Sequence, residues 1–205
     1  HLRAGERPFV ILESGRRVGD NWRERFDSLR LYSPARYDGL PGWGVPLDPW
    51  AYPTKDEIAD YLEAYAERFE LPVVHGVQVD GLRRAAGRWL VSAGAHRFEA
   101  DNVVVATGTF QQPKLPDFAG ELDPAILQLH SSSYRRSSQL PDGPVLVVGA
   151  SHSGFDVAYE VALDHRGVGP ALLERRRGGD VLRDPVDERR ERLDVAARPI
   201  PGPLV

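Results

Sequence analysis

The residues 149–154 have the types and spacing of a phosphate-binding turn: Gly-Ala-Ser-His-Ser-Gly, directly after the apolar run 145–148. In such a turn the first glycine permits the tight bend and the last lets the helix approach the strand closely. The N–H groups at the helix start then hold a pyrophosphate. Ser151 stands where the standard pattern has a glycine, and Ser151 and Ser153 can both donate hydrogen bonds to phosphate. An apolar strand before the turn and a helical period after it favour a dinucleotide site over a purely structural strand–turn–helix.

The end of the next apolar stretch, 171–173, should select the nucleotide. An acidic side chain there bonds the ribose 2′-hydroxyl of NAD, whereas an arginine accommodates the 2′-phosphate of NADP. The sequence continues with Glu174 and then with Arg175, Arg176 and Arg177, so both interpretations stay open. Three adjacent arginines favour NADPH, and a solvated charged loop is the alternative.

Glu13 is the second chemical signal, because it closes the apolar stretch FVILE at residues 9–13. A first βαβ unit places its ribose-binding acid at such a position, about 20 residues after its own glycine turn. That turn would precede residue 1, and the chain begins with His1 and contains no methionine. We therefore expect a piece of a longer protein that starts inside one nucleotide-binding unit; an ordinary strand-end carboxylate is the alternative for Glu13.

Periodicity predicts the elements that position these residues. A helix end at 1–4 stopped by Gly5 should lead into a strand at 9–13 that is buried on both faces, and then into an irregular segment at 15–53. Thr54 and Glu57 predict a capping box that opens a helix. The later predictions are turns at 80–81 and 86–87, an apolar strand at 101–108, a strand at 145–148, a helix from Gly154, a strand at about 171–173 and a poorly ordered tail.

Composition excludes several classes of function. The 205 residues are 41% hydrophobic and 27% charged with a net charge of -4, which is typical of a globular protein without a nucleic-acid footprint. The absence of cysteine excludes disulfides, thiolate metal sites and a Cys-x-x-Cys redox pair within these residues. The histidines show no ligand spacing, so no metal is expected. No apolar run reaches the roughly 20 residues of a membrane-spanning helix, and a cytoplasmic location is the default expectation.

Six stretches in order resemble the flavin-containing monooxygenase superfamily, in particular its bacterial FAD- and NADPH-dependent oxidoreductases. The resemblance extends over about residues 8 to 164. It rests on VILE (10–13), GDNWRERFDSLRLYSP (19–34), YPTKDEIADYLEAYAERF (52–69), DNVVVATGTFQQPKLPDFAG (101–120), LHSSSY (129–134) and GPVLVVGASHSG (143–154).

The resemblance implies an α/β flavoprotein with two dinucleotide-binding domains, in which the NADPH unit is nested after the FAD unit. Residues 1–144 would be the FAD-binding domain without its first strand and glycine turn. Residues 145–178 would begin the NAD(P)H-binding domain, and residues 179–205 would be an irregular tail. The nesting explains why the glycine turn at 149–154 comes late in the chain.

The resemblance also assigns cofactor contacts by position. Glu13 would bind the FAD adenosine ribose, the segment from Asp20 to Arg23 would run beside the flavin, and the backbone near Val79 would meet the adenine. The remaining assignments are Asn21 and Trp22 in the flavin-side segment, Thr107 and Gly108 closing over the cofactor, Gly149, Ser151, Ser153 and Gly154 at the NADPH pyrophosphate, and Arg175 or Arg176 at the 2′-phosphate. No catalytic residue emerges; Asp27 and Arg23 are acid–base candidates only by proximity, with loop bracing as the alternative.

The implied reaction is hydride transfer from NADPH to FAD, followed by O2 activation and oxygen transfer to a small organic substrate. The cofactors carry this chemistry, and the protein positions and shields them. Two alternatives stay open: an NAD(P)H-dependent flavin reductase or dehydrogenase without oxygenation, and a non-catalytic piece that binds a nucleotide. No nucleic-acid or membrane partner is expected, and the oligomeric state is not predicted. FAD retention by these 205 residues should be weak, because the first phosphate-binding turn would precede residue 1.

Overall fold

The computed structural model describes residues 1–108, 112–149 and 151–164, together with the backbone of 169–171. Arg175, Arg176 and the predicted tail at 179–205 lie outside the described residues. The helices are α1 (Asp20–Arg23), α2 (Lys55–Arg68) and α3 (His152–Asp164), with 3-10 turns at Ala35–Tyr37, Asp117–Glu121 and Ser137–Gln139. The strands are β1 (Ile11–Leu12), β2 (Val73–Val74), β3 (Gly81–Ala85), β4 (Arg88–Ala93), β5 (His96–Ala100), β6 (Leu146–Val148) and β7 (Gly169–Ala171).

Among the described residues, two pairs of strands are parallel. β1 pairs with β2 in the register Ile11 opposite Val73, and α2 lies in the crossover between them. β6 pairs with β7, and α3 forms the crossover. Parallel strands require such a crossover connection, usually a helix. The predicted strand–turn–helix–strand order at 145–173 is thus confirmed, although α3 begins at His152 rather than at Gly154 and β7 begins two residues before the predicted strand.

The third sheet is antiparallel, in the order β3-β4-β5. Ala86 and Gly87 join β3 to β4 with φ of 48° and 82°, the two positive values that a two-residue hairpin turn prefers. The predicted turn at 86–87 is therefore confirmed. The turn predicted at 80–81 is wrong, because Gly81 starts β3 opposite Ser92. Asp80 lies just before that strand and accepts hydrogen bonds from the Ser92 hydroxyl and the Gly94 N–H.

The first residues form turns rather than the predicted helix end. Gly5 N–H donates to the carbonyls of His1 and Leu2, and the left-handed residue is Glu6 with φ of 50°, not Gly5. The strand at 9–13 is shortened to β1, and Val10 is 46% exposed. Burial on both faces was the wrong expectation, because β1 has β2 as its single neighbour among the described residues.

The apolar stretch at 101–108 is not a strand. Val104 is 83% exposed, and no strand is assigned to residues 103–108. An apolar run becomes a strand only when another strand satisfies its backbone groups, and within the described ranges no strand pairs with this segment. Local apolar character therefore did not decide its structure.

Two hydrophobic clusters hold the elements together. The first joins Ala35 and Val45 of the segment before α2 to Ile58 and Tyr61 of α2. At the start of α2, Thr54 and Glu57 form the predicted capping box, in which each side chain bonds the backbone N–H of the other. The second cluster seats α3 on the earlier part of the chain; it consists of Phe26, Tyr134 and Val161, with Leu29, Leu140, Val145 and Val157 around them.

Candidate functional site

The loop between β6 and α3 has the backbone geometry that its glycines predict. Gly149 has φ of 109°, a conformation that side-chain-bearing residues rarely adopt. A Cβ built on Gly154 would lie 2.2 Å from the carbonyl oxygen of Gly149. Residue 154 must therefore be glycine for the helix to begin this close to the strand end.

The first turn of α3 is formed around the two serines of this loop. Phe155 N–H donates to the carbonyl of Ser151 at 3.0 Å, and both Ser151 and Ser153 are exposed. N–H groups at the start of a 13-residue helix, next to exposed hydroxyls, suit a phosphate group. The residues present thus fit a dinucleotide pyrophosphate, while the assignment of Gly149, Ser151, Ser153 and Gly154 to the nucleotide stays a prediction.

Glu13 lies directly after the carboxyl end of β1. Its N–H donates to Val74, its carbonyl accepts from Val77, and its carboxylate accepts from the N–H of Gly15 at 2.8 Å. In open α/β sheets, ligands bind beyond the carboxyl ends of the strands. The placement of Glu13 therefore fits a ribose-binding acid. Val79 follows in the segment after β2 and is exposed.

The start of α1 is locked onto α2 by a glycine. Gly19 is buried with φ of 87°, and a Cβ there would lie 2.7 Å from the Ala59 carbonyl oxygen. This contact fixes which side chains of α1 face solvent. Asn21 is exposed, and Trp22 is half-buried against the first hydrophobic cluster. The side chain of Asn21 is therefore accessible to a ligand, whereas part of the Trp22 ring packs in the hydrophobic cluster.

Arg23 is engaged in a network rather than offered to a ligand. Its guanidinium donates to the Val18 carbonyl at 2.7 Å, to Asp60 at 2.8 Å and to Glu63 at 2.7 Å. Burial acts to lower the pKa of Arg23, but the hydrogen bond to Asp60 and the charge of Glu63 outweigh it and raise that pKa. A guanidinium that stays protonated and donates to four groups, the fourth being Asp20 at 3.4 Å, suits loop bracing better than proton transfer.

The remaining predicted residues, Asp27, Thr107 and Gly108, are exposed. Asp27 forms an exposed ion pair with Arg136 at 2.9 Å, which also fits bracing. Thr107 and Gly108 are exposed, and Gly108 turns the chain with φ of 75°. Their closure over a cofactor stays a prediction.

Sequence reasoning missed the contact surface of α3. Asp156, Glu160 and Asp164 are spaced by four and therefore share one helix face. Tyr32 donates to Asp156, and the Ser28 hydroxyl and the Ser137 N–H donate to Glu160. The spacing of the acids was visible in the sequence, but their partners lie more than 20 residues away along the chain.

Among the described residues, no group of three or more His, Asp or Glu side chains is arranged to hold a metal ion. None of the helices in that part of the chain has the length and apolar character needed to cross a bilayer.

The order β6–loop–α3–β7, with β6 parallel to β7, is that of an α/β dinucleotide-binding fold. Residues 3–175 match the model of the pyridine nucleotide-disulphide oxidoreductase family. The chain belongs to this family and, as its sequence predicts, to the flavin-containing monooxygenase superfamily. FAD and NADP(H) are the cofactors of this class, which agrees with the prediction.

Particular relatives support the assignment. The chain is 46% identical over 156 residues to an uncharacterized CzcO-like oxidoreductase of Geobacillus kaustophilus, covering 76% of this chain and 45% of that protein. It is 33% identical over 172 residues to the rice indole-3-pyruvate monooxygenase YUCCA1, covering 82% and 42%. A solved flavin-containing monooxygenase of Stenotrophomonas maltophilia matches with a TM-score of 0.68 and 26% identity, covering 80% and 59%. The chain therefore spans about half the length of the curated relatives that it matches.

Proposed function

We propose that this chain carries the nucleotide-binding parts of an NADPH-dependent flavin monooxygenase that transfers oxygen to a small organic substrate. The observation that carries the proposal is the close approach of Gly154 to Gly149 at the carboxyl end of β6. It leaves the start of α3 and the hydroxyls of Ser151 and Ser153 available to a pyrophosphate. Family membership and the monooxygenases among the relatives supply the reaction class.

On the FAD side, the proposal assigns the adenosine ribose to Glu13. The Gly15 N–H holds one oxygen of its carboxylate at the carboxyl end of β1. Asn21 is exposed on α1, which the Gly19–Ala59 contact fixes against α2. In this proposal Glu13 orients the adenosine end of FAD, and Asn21 presents a polar side chain beside the flavin. Val79, Thr107 and Gly108 keep the roles that the resemblance implies.

The bound cofactors supply hydride transfer and O2 activation. The chain's own contribution is to hold the two nucleotides in fixed relative positions and to keep water from the reacting groups. Arg175 and Arg176, outside the described residues, are proposed to select the 2′-phosphate of NADPH. The domain boundaries at 144 and 178 belong to the same proposal.

The experiment is O2 consumption by the full-length protein with FAD, NADPH and a panel of small organic acceptors. Acceptor-dependent O2 uptake, with an oxygenated product and little hydrogen peroxide, is the expected result. NADPH oxidation that yields hydrogen peroxide alone would favour the reductase or oxidase alternative. A protein that oxidises no NADPH would contradict the proposal.

Cofactor retention by the 205 residues themselves is a separate matter. The resemblance identifies no glycine turn for the FAD pyrophosphate among these 205 residues, so purification of this chain with excess FAD should give weak or absent flavin absorbance. Stoichiometric FAD on the 205-residue chain would contradict this expectation.

A further inference from the structure

Tyr32 contacts the start of α3 from a segment 124 residues away from Asp156. Its ring centroid lies 4.4 Å from that of His152, with the ring planes inclined by 35°. Its hydroxyl donates to Asp156 at 3.1 Å. His152 is the first residue of α3 and lies inside the Gly149–Gly154 loop. One side chain therefore holds both the loop and the first helical turn behind it.

The remaining polar contacts of this helix face hold its later turns. The Ser28 hydroxyl donates to Glu160 at 2.5 Å, and the Ser137 hydroxyl donates to Asp164. Val161 is buried beneath them against Phe26 and Tyr134. These contacts dock the body of α3. Within the described ranges, Tyr32 is the member of the set that reaches a residue of the glycine loop.

The other side of Tyr32 is fixed to the FAD-side part of the chain. Leu31 N–H donates to the Pro53 carbonyl at 2.8 Å, and Lys55 N–H donates to the Leu29 carbonyl at 3.1 Å. The backbone that carries Tyr32 is thus attached to the start of α2. It is continuous with α1, where Asn21 is the proposed flavin-side residue. Tyr32 therefore connects the two proposed cofactor regions.

The phenol is suited to a lasting contact. Tyr32 is 60% exposed, but partial desolvation and then the hydrogen bond to Asp156 raise the pKa of its phenol, so the hydroxyl stays protonated and donates at neutral pH. The tilted ring pair adds attraction beyond the area that it buries.

We propose that Tyr32 is a positioning residue for NADPH: its ring holds His152, and through His152 the glycine loop, in the arrangement that receives the pyrophosphate. This inference rests on the proposed function. A loop that is held before binding loses less freedom when the ligand arrives, so the contact increases affinity for the nucleotide. The chemical step occurs after that arrangement has formed and is little affected.

The test uses the full-length protein with Tyr32→Leu, Tyr32→Phe, His152→Ala and the control Ser28→Ala, which alters the same helix face away from the loop. NADP+ dissociation constants from titration calorimetry, together with KM and kcat for NADPH, are measured. For Tyr32→Leu and His152→Ala we expect Kd and KM to rise roughly three- to tenfold, with kcat within about twofold of wild type. Tyr32→Phe keeps the ring pair and should stay within about twofold of wild type, as should Ser28→Ala.

The double variant Tyr32→Leu/His152→Ala tests whether Tyr32 acts through His152. If it does, the double variant binds NADP+ no more weakly than Tyr32→Leu alone. Additive losses overturn the inference, as does wild-type affinity in Tyr32→Leu or an equal loss in Ser28→Ala. Wild-type protein that binds no NADP+ overturns the proposed function as well, which separates the two failures. If Tyr32→Leu does not fold, His152→Ala and Tyr32→Phe still give both outcomes.

Discussion

The carbonyl oxygen of Gly149 lies where a side chain at Gly154 would begin, 2.2 Å from the Cβ position of that residue. The loop and α3 therefore accept a side chain there only by moving apart. This relationship links the amino-acid pattern of the turn to the ligand that it is proposed to hold.

Gly154→Ala should lower the free energy of unfolding by roughly 1–3 kcal/mol, because the added methyl group meets backbone rather than a flexible side chain. Urea unfolding followed by circular dichroism measures this change. The matched control is Gly120→Ala, since a Cβ at Gly120 meets nothing within 4 Å, and it should stay within about 0.5 kcal/mol of wild type. Equal stability of the two variants would contradict the close contact between Gly154 and the Gly149 carbonyl.

Arg23→Met should destabilise the protein by about 2 kcal/mol, because Asp60 and Glu63 lose their shared cation and the Val18 carbonyl loses its donor. The Arg23 side chain is 13% exposed, whereas that of Arg17, which pairs with Asp20 and Glu63, is 55% exposed. Arg17→Met should therefore cost less than about 1 kcal/mol. Chemical denaturation of both variants provides the comparison, and a larger loss at Arg17 would refute the bracing role.

The capping contact of Glu57 should make the free energy of unfolding decrease as the pH falls into the acid range. The backbone N–H and then the hydroxyl of Thr54 donate to its carboxylate, which lowers the pKa of Glu57 in the folded state. A lowered folded-state pKa contributes stability above the unfolded pKa of about 4.3, and that stability is lost as the pH falls through the folded value. Glu57→Gln should thus cost a few tenths to about 1 kcal/mol at neutral pH and less in acid.

Unfolding curves between neutral and acid pH check this expectation. Glu67 is exposed near the other end of α2, so Glu67→Gln removes the same charge without touching the cap. That control should not lower stability. A Glu57→Gln deficit that stays constant down to the lowest pH would argue against the charge of Glu57 as its cause.

Tyr134 should make the free energy of unfolding decrease at alkaline pH. Burial raises its pKa, and the charges of Glu160, Asp164 and Asp27 raise it further. The fold therefore favours the neutral phenol, and this contribution is complete below the unfolded pKa of about 10 and is lost as the pH rises above it. Wild-type stability should decline more steeply above about pH 10 than that of Tyr134→Phe. Tyr159→Phe, at a largely exposed position, should decline as wild type does; parallel curves for all three would contradict the burial argument.

The sequence predicted the parts of this fold in which neighbouring residues decide the structure. The Thr54 cap, the turn at 86–87 and the strand–loop–helix around Gly149 and Gly154 depend on contacts within a few residues. The stretch at 101–108 failed because a strand needs a partner, and apolar character alone does not supply one. β1 has the partner β2 but no second neighbour among the described residues, so Ile11 is exposed where burial on both faces was expected.

In the candidate site, too, features fixed by neighbouring residues could be predicted and contacts between distant residues could not. The glycine and serine positions of the loop could be predicted because backbone conformation and phosphate chemistry constrain them locally. The contact of Tyr32 with His152 and Asp156 could not, because nothing near Tyr32 in the sequence indicates which helix it meets. The acids at 156, 160 and 164 show a helix face but not its partner.

The most direct test of the central claim is anaerobic mixing of the FAD-loaded full-length protein with NADPH while the visible flavin absorption band is followed. We expect rapid loss of that band, at lower concentrations of NADPH than of NADH, and slower loss at low NADPH in the Tyr32→Leu variant. A band that persists with saturating NADPH, in protein shown to contain FAD, would contradict this claim.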